Sequence, residues 1–173
     1  MTNQITIRPF VDADAAYVRE LFISVNKLLA PSYLKEDFQR YVDRSLQEEI
    51  DRIADYYGER GGGFWVAVDG SRIVGMFGLE SSSGGGSMEL RRMYVDADIR
   101  RRGIARKMLA FAEAECRRRN VFQIELSTSE LQGEALSLYR SSGYLEAGEE
   151  IALNASNKTI GGGIRRFHFT KRL

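Results

Sequence analysis

The residues whose types and spacing best fit a binding chemistry form an arginine-rich turn, Arg100-Arg101-Arg102-Gly103-Ile104-Ala105. A pyrophosphate needs several N–H donors at close range, and the first turn of a helix provides them together with its positive dipole end. Gly103 lets the backbone approach a phosphate, and Ala105 keeps the turn small. The run lacks the Lys-Ser/Thr pair of a Walker loop and the glycine triplet of a dinucleotide fingerprint. It therefore indicates an anion site, with a solvated basic helix start as the alternative.

The segment around this turn is strongly basic, although the chain as a whole is almost neutral. Its 173 residues carry 25 basic and 24 acidic side chains, which gives a formal net charge of +1. Between Arg91 and Lys107, seven basic residues stand against two acidic ones, a local net charge of +5. Such a patch is typical of a binding site for an anion, either a phosphate or a nucleic acid.

The rarity of some residue types disfavours several catalytic classes. Cys116 is the only cysteine and His168 the only histidine, so the chain lacks the residues for an internal disulfide, a Cys/His metal site or a Ser/His/Asp framework. Cys116 is expected to be a buried inert thiol, and His168 to lie on the strand face opposite its phenylalanine neighbours. An enzyme made from this chain must therefore work with carboxylates, tyrosine and backbone amides, without a metal.

Length and composition predict one domain that covers residues 1–173. The hydrophobic fraction of 43% argues against disorder. No apolar run approaches the roughly 20 residues that cross a bilayer. The first residues also lack a basic segment followed by an apolar one, so we expect a cytoplasmic protein that makes no membrane contact.

Hydrophobic periodicity predicts an α/β domain with the element order β-α-α-β-β-β-α-β-α-β-β. The first helix is predicted to follow an N-cap at Asp12 and to end before Pro31, and the second to run unbroken over Lys35–Tyr57. Gly143 is predicted to cap the last helix, and residues 154–163 to form a mobile loop.

The fourth predicted strand shows a break in its hydrophobic alternation. Met88 and Leu90 share one parity, whereas Met93 and Val95 share the other. An apolar face that shifts by one residue predicts a β-bulge near residues 91–92. A bulge interrupts the hydrogen-bond ladder and leaves backbone groups free for a ligand.

This strand, the arginine-rich turn and the later segment ALSLYRSSGY together resemble the GNAT superfamily of acetyl-CoA-dependent N-acetyltransferases. The family's pyrophosphate motif, Arg/Gln-x-x-Gly-x-Gly/Ala, is matched by Arg100, Gly103 and Ala105. Its later helix motif is matched by Ala135, Leu138, Tyr139, Gly143 and Tyr144, with Gln132 where the family has Asn. The resemblance implies a mixed, mostly antiparallel sheet of about seven strands that splays at the bulge in the fourth strand. It also implies that acetyl-CoA is bound by Met93, Tyr94, Val95, Arg100, Arg101, Arg102, Gly103, Ile104, Ala105, Arg106 and Gln132.

Tyr139 follows Ala135 by four residues and therefore lies on the inner face of its helix. The resemblance implies that Tyr139 donates a proton to the departing CoA thiolate. A thiol with a pKa of about 8.5 leaves more easily when it is protonated, and a phenol with a pKa near 10 can supply the proton. Core packing with the hydroxyl at the rim is the alternative for Tyr139.

The attacking amine must lose a proton, because a lysine-like amine with a pKa near 10 is mostly protonated at neutral pH. Glu89, just before the bulge, is the first candidate for the catalytic base, acting directly or through a water. Glu80 and water alone remain alternatives. A solvent-facing strand glutamate explains Glu89 equally well.

The leading hypothesis is an enzyme that transfers the acetyl group of acetyl-CoA directly to a primary amine of a small molecule or of a peptide or protein. Direct transfer is favoured because no residue is a competent covalent nucleophile. The alternative is a non-catalytic module that uses Arg100–Lys107 to bind an acyl-CoA or a nucleic acid. A nucleic acid is the less favoured partner, because the chain as a whole is neutral. The sequence is compatible with a homodimer.

Overall fold

The computed structural model describes residues 4–173 of the chain. In that range seven strands form one sheet: β1 (Thr6–Pro9), β2 (Gly63–Asp69), β3 (Arg72–Ser81), β4 (Met88–Val95), β5 (Gln123–Ser129), β6 (Leu145–Ala152) and β7 (Ile164–Arg172). The α-helices are α1 (Ala15–Leu29), α2 (Lys35–Glu48), α3 (Ile53–Glu59), α4 (Ile104–Arg118) and α5 (Gly133–Ser141).

The sheet has the strand order β1-β2-β3-β4-β5-β7-β6. Strands β4 and β5 are parallel, and the other neighbouring strands are antiparallel. The predicted α/β class and the mixed, mostly antiparallel sheet of seven strands are therefore confirmed. The parallel pair needs a crossover connection, and α4 provides it between β4 and β5.

Helices cover both faces of the sheet, so its central strands are buried on both sides. In β2, Phe64, Val66 and Val68 pack into the core formed with α1, α2 and α3. Trp65 and Ala67 alternate with them and pack into the second core, formed with α4 and α5. This period of two is the alternation that a strand imposes on its side chains.

Strand β4 contains the predicted bulge. Met76 of β3 lies opposite Tyr94, whereas Gly78 lies opposite Arg91, so three residue steps in β4 match two in β3. Arg92 has a φ of +55°, a left-handed conformation that non-glycine residues rarely adopt. The bulge is thus located at Arg92, as the shift in hydrophobic parity indicated.

Strands β4 and β5 separate soon after they begin to pair. Their parallel register consists of Met88 opposite Ile124 and Glu89 opposite Glu125. From Leu90 onward, the β5-facing edge of β4 has no strand partner, so its backbone groups face the opening between the two strands. The sheet is therefore splayed at β4, as expected.

The second predicted helix is broken in two. Helix α2 ends at Glu48 and α3 begins at Ile53, because Glu49 leaves helical geometry with a φ of −140°. The turn carries the Glu49 side chain into the interior, where it contacts Arg92. The prediction of one continuous helix over residues 35–57 was wrong, since a tertiary contact overrides the local helical pattern.

Other element ends differ less from the predictions. Helix α1 begins at Ala15, because a short 3-10 turn occupies Asp12–Asp14, and Asp12 therefore does not cap it. Gly143, with a φ of +83°, follows α5 as predicted. The loop over residues 154–163 has fixed contacts with the protein body, since the Asn157 carbonyl accepts hydrogen bonds from Arg91 and Arg92.

Candidate active site

A cleft of about 940 Å³ opens where β4 and β5 separate. One wall is formed by β4 after its bulge, and another by the first turn of α4 and by α5. Most of the predicted cofactor residues line this cleft, namely Met93, Tyr94, Val95, Arg100, Arg101, Gly103, Ile104, Ala105, Arg106 and Gln132. The elements thus bring together residues that are up to about 40 positions apart in the sequence.

The start of α4 has the backbone geometry that an anion requires. Gly103 has a φ of +72°, and a Cβ atom placed there would meet no heavy atom within 4 Å. The first helical hydrogen bond runs from the Lys107 N–H to the Gly103 carbonyl at 3.0 Å. The preceding N–H groups, from Ile104 to Arg106, are therefore free of acceptors within the helix and can bind a phosphate. The residues present fit a pyrophosphate.

The predicted basic patch does not form one surface. Arg102 lies outside the lining of the cleft and pairs with Asp69 at 3.1 Å. Arg91 and Arg92 are buried on the other side of the bulge, away from α4. Of the seven basic residues, Arg100, Arg101 and Arg106 line the cleft, and Arg100 lies 3.9 Å from Glu134. The local net charge of +5 between residues 91 and 107 therefore overstates the charge at the cleft.

Tyr139 lines both the cleft and a smaller adjoining cavity of about 100 Å³. Its side chain is buried on α5, and burial raises the pKa of its phenol well above the ordinary value. The hydroxyl thus stays protonated at neutral pH, as in free tyrosine, and it is a weaker acid than free tyrosine. Near it, Thr128 Oγ1 donates a hydrogen bond to Gln132 Oε1, which orients the Gln132 side chain at the start of α5.

Glu89 lines the smaller cavity together with Tyr139. Its Oε2 atom accepts a hydrogen bond from Lys158 Nζ at 2.5 Å. The same ammonium lies 3.3 Å from Glu80 Oε1. Glu80 is buried and does not line the cavity, and its other oxygen lies 3.2 Å from Arg91 Nη1. Of the two candidate bases, Glu89 is the one exposed to the cavity.

Behind the cavity lies a buried charge network that the sequence analysis missed. Arg92 donates to both oxygens of Glu49, from Nε at 3.0 Å and from Nη2 at 2.7 Å. Arg91 Nη2 lies 3.2 Å from Glu49 Oε2, and the Tyr57 hydroxyl donates to Oε1 at 2.6 Å. Burial by itself would raise the pKa of Glu49, but the charges and hydrogen bonds of the arginines outweigh it and lower that pKa.

A repeat of polar residues along one face of α2 was the available sequence signal for this network. Tyr41, Ser45 and Glu49 recur every four residues on the inner face of α2 and its following turn, and all three contact Arg92. Lys158 and Arg166, which also line the smaller cavity, carried no such signal because they lie on a loop and a strand far along the chain.

The remaining polar candidates stay outside the site. Cys116 is buried, and burial raises the pKa of its thiol to about 11, which keeps it unreactive. His168 is partly exposed and lies 3.4 Å from Glu150. Within residues 4–173, no group of three or more His, Cys, Asp or Glu side chains is arranged to hold a metal ion. In the same range no helix combines the length and apolar character that spanning a membrane requires.

Relatives with known names match most of the chain. Human N-acetyltransferase 8 is 30% identical over 122 residues, which cover 68% of this chain and 54% of that protein. N-acetylaspartate synthetase of Danio rerio is 33% identical over 122 residues, which cover 68% of this chain and 42% of that protein. The chain thus spans about half the length of these relatives.

Solved structures match the fold over nearly its whole length. A GNAT-family acetyltransferase from Staphylococcus aureus Mu50 has a TM-score of 0.74 at 22% identity and covers 98% of this chain and 99% of its own. The paia N-acetyltransferase from Thermoplasma acidophilum, solved in complex with coenzyme A, has a TM-score of 0.75 at 18% identity with the same coverage.

The family model described as "Acetyltransferase (GNAT) family" matches residues 23–144. That range contains the bulged strand β4, the arginine-rich turn and helix α5 with Tyr139. Because the match covers more than half of the sequence, and because the splayed sheet and its cleft agree with it, the chain belongs to the GNAT acetyltransferase family.

Proposed function

We propose that this protein is an acetyl-CoA-dependent N-acetyltransferase that transfers the acetyl group directly to a primary amine of a small molecule or a peptide. The observation that carries the proposal is the position of Tyr139, which lines both the cofactor cleft and the cavity that holds Glu89. A proton donor and a proton acceptor are thereby placed on either side of the point where donor and acceptor substrates would meet.

The chain's own residues can hold the donor along the cleft. The free N–H groups of Ile104–Arg106 and the side chains of Arg100 and Arg101 suit a pyrophosphate, and the unpaired edge of β4 at Met93–Val95 suits an extended amide-containing arm. When bound, acetyl-CoA supplies the activated acyl carbon. The structural neighbour with coenzyme A supports this assignment. We assign Arg102 no direct contact, since it pairs with Asp69.

Glu89 is proposed as the base that accepts the proton of the attacking amine. Its carboxylate lines the smaller cavity, and Lys158 Nζ contacts one of its oxygens, Oε2, at 2.5 Å. Glu80 is less suitable, because its oxygens are engaged by Arg91 and Lys158 and it is shielded from the cavity. Tyr139 is proposed to donate its proton toward the departing thiolate. Direct transfer is proposed because, within residues 4–173, neither a cysteine nor a histidine that could activate a serine lines the smaller cavity.

The division of the basic residues favours this enzyme over a nucleic-acid-binding module. Arg91 and Arg92 are buried and neutralised, and Arg102 faces Asp69, so a broad basic face is not formed. We also propose that residues 1–173 act as one domain and that the protein is cytoplasmic. Its single, buried cysteine, which suits a reducing compartment, supports this location.

The test compares Tyr139→Phe with the wild type, using acetyl-CoA and a panel of amino acids, polyamines and peptides as acceptors. Release of the CoA thiol is followed spectroscopically, and acetyl-CoA affinity is measured by calorimetry. We expect kcat to fall about 10²- to 10⁴-fold in Tyr139→Phe while acetyl-CoA affinity stays unchanged.

Tyr144→Phe is the matched control. Tyr144 is also a buried tyrosine, but it lines neither cavity, and its hydroxyl donates to Glu113 at 3.0 Å. Its removal should leave kcat of the folded enzyme near the wild-type value. Full activity in Tyr139→Phe would show that its hydroxyl is a bystander, and absence of transfer to every amine would contradict the proposed reaction.

A further inference from the structure

The wall of the smaller cavity contains a buried arginine that has no close acidic partner. Arg166 of β7 is 9% exposed, and it donates hydrogen bonds to the neutral Lys158 carbonyl and Ser127 hydroxyl. Among the described residues, Glu150 holds the one carboxylate within 4.0 Å of this guanidinium, at 3.9 Å. Glu150 is itself largely exposed and also lies near His168, so it compensates little of the buried charge.

The other cations around this cavity are matched by carboxylates. Arg91 and Arg92 are paired with Glu49 and Glu80 in the buried network, and Lys158 is paired with Glu89. Three cations thus face three anions. The charge of Arg166 is left over, in a place where an unpaired charge is costly because water cannot solvate it fully. Burial lowers the pKa of this guanidinium, which is the signature of that cost.

The position of Arg166 places this charge near the proposed site of the amine substrate rather than near that of acetyl-CoA. Arg166 lines the smaller cavity together with Glu89 and Tyr139, and it does not line the cofactor cleft. The phosphate-binding turn of α4 lies in that cleft instead. Arg166 also lines a third cavity, of about 550 Å³, together with Glu89 and Lys158. From either of these two cavities, an anion reaches Arg166 on the side of Glu89, where the acceptor amine is proposed to lie. A volume of about 100 Å³ suits a small planar group such as a carboxylate.

We propose that the acceptor carries a carboxylate beside its primary amine, as an α-amino acid does, and that Arg166 binds this carboxylate. The inference rests on the proposed function and adds the substrate class to it. A guanidinium with free N–H groups binds a carboxylate through charge-assisted hydrogen bonds. Arg166 is thereby a specificity-determining residue.

The first experiment needs no variant. Initial rates with acetyl-CoA are compared for L-alanine, L-aspartate and L-phenylalanine against the α-carboxamide of each. The carboxamide keeps the shape but removes the negative charge, and its amine is less basic, so amine reactivity alone favours the amide. We expect kcat/KM to be at least tenfold higher for at least one amino acid than for its amide. Equal or faster reaction of all three amides would overturn the proposal.

The second experiment assigns the preference to Arg166. Arg166→Gln should bring the ratio of kcat/KM for acid and amide close to one, mainly by raising KM for the acid, whereas Arg166→Lys should retain part of the preference. Arg165→Gln is the matched control, because Arg165 is the exposed neighbour on the same strand and pairs with Glu149. An unchanged ratio in folded Arg166→Gln would overturn the assignment. If Arg166→Gln does not fold, the ratio of kcat/KM for acid and amide is measured in Arg166→Lys instead. A ratio equal to that of the wild type would then overturn the assignment to Arg166.

A binding measurement separates this inference from the proposed function. Calorimetry with N-acetyl-L-alanine and N-acetyl-L-aspartate, each against its amide and in the presence of CoA, requires no turnover. Tighter binding of the acids that is lost in Arg166→Gln supports the carboxylate site even if no amine is acetylated. Acetylation of amines without any preference for a carboxylate would refute the inference and leave the N-acetyltransferase in place.

Discussion

Replacing Glu49 by glutamine should strongly destabilise the protein, although the change removes one charge and almost no volume. Glu49 is fully buried and accepts hydrogen bonds from Arg92 and Tyr57, with Arg91 Nη2 at 3.2 Å. In the wild type, two buried arginines face the two carboxylates of Glu49 and Glu80. In Glu49→Gln, Arg91 keeps Glu80, but Arg92 loses the one carboxylate that pairs with it among the described residues, and its buried positive charge is uncompensated.

The expected loss follows from that imbalance. Breaking a buried ion pair by removing one partner costs about 3–5 kcal/mol, because the remaining charge stays out of water without its counterion. For a chain of this size, each kcal/mol corresponds to a shift in Tm of about 2–4 °C. We therefore expect Tm to fall by about 6–20 °C, with a matching fall in the free energy of unfolding.

Urea denaturation of Glu49→Gln and Glu48→Gln provides the measurement. Glu48 precedes Glu49 directly, but its side chain is half exposed and lies 3.8 Å from Arg44. An exposed pair of this kind contributes little, so Glu48→Gln should change the free energy of unfolding by no more than about 0.5 kcal/mol. Equal stability of the two variants would refute the reasoning that buried charge balance holds this region together.

The pH dependence gives the same prediction a second check. The arginines lower the pKa of Glu49 in the folded protein, so its carboxylate stabilises the fold at pH values above the ordinary glutamate pKa. That contribution is lost as the pH falls from the ordinary pKa through the lowered one. The stability difference between wild type and Glu49→Gln should therefore be constant near neutral pH and shrink in acid.

Two further predictions concern the cleft and the cavity. Gly103→Val should weaken CoA binding at least tenfold, about 1.4 kcal/mol by calorimetry, because a side chain is placed where the backbone must approach a phosphate. Gly85→Val is the control, since Gly85 has a similar φ of +67° and equally open surroundings but does not line the cleft. The Gly85→Val variant should bind CoA with the wild-type affinity. Glu89→Gln should lower kcat/KM most at low pH, where the acceptor amine is protonated. At higher pH the amine loses its proton unaided, and kcat/KM should return toward the wild-type value. A pH–rate profile identical to that of the wild type would exclude Glu89 as the base.

The sequence was most informative where the signal is local in the chain. The shift of hydrophobic parity predicted a bulge near residues 91–92, and the structure has it at Arg92. The arginine-rich turn with Gly103 predicted the start of α4, which lies at the cleft. Each of these features is decided by a few consecutive residues and their backbone preferences. The position of Tyr139 followed from helical spacing for the same reason.

The charge network could not be predicted in the same way, because it joins residues that are far apart. Arg92 and Glu49 are separated by 43 positions. From the sequence alone, Arg91 and Arg92 were interpreted as part of a basic segment, and Glu49 as part of a continuous helix. The fold reverses both interpretations, since it turns these two arginines away from the arginine-rich turn and breaks the helix at Glu49. Charge summed along a segment does not report the direction in which the side chains point.

The buried network also explains how a strained bulge persists in β4. The left-handed conformation of Arg92 costs about 1–2 kcal/mol for a residue that is not glycine. Its guanidinium is held by Glu49, by Ser45 at 3.2 Å and by the carbonyl of Asn157. These contacts form only when Arg92 points inward, which is the orientation that the bulge produces. Buried contacts next to the cleft therefore stabilise the backbone geometry that opens it, and the same contacts hold the loop that carries Lys158 against the smaller cavity.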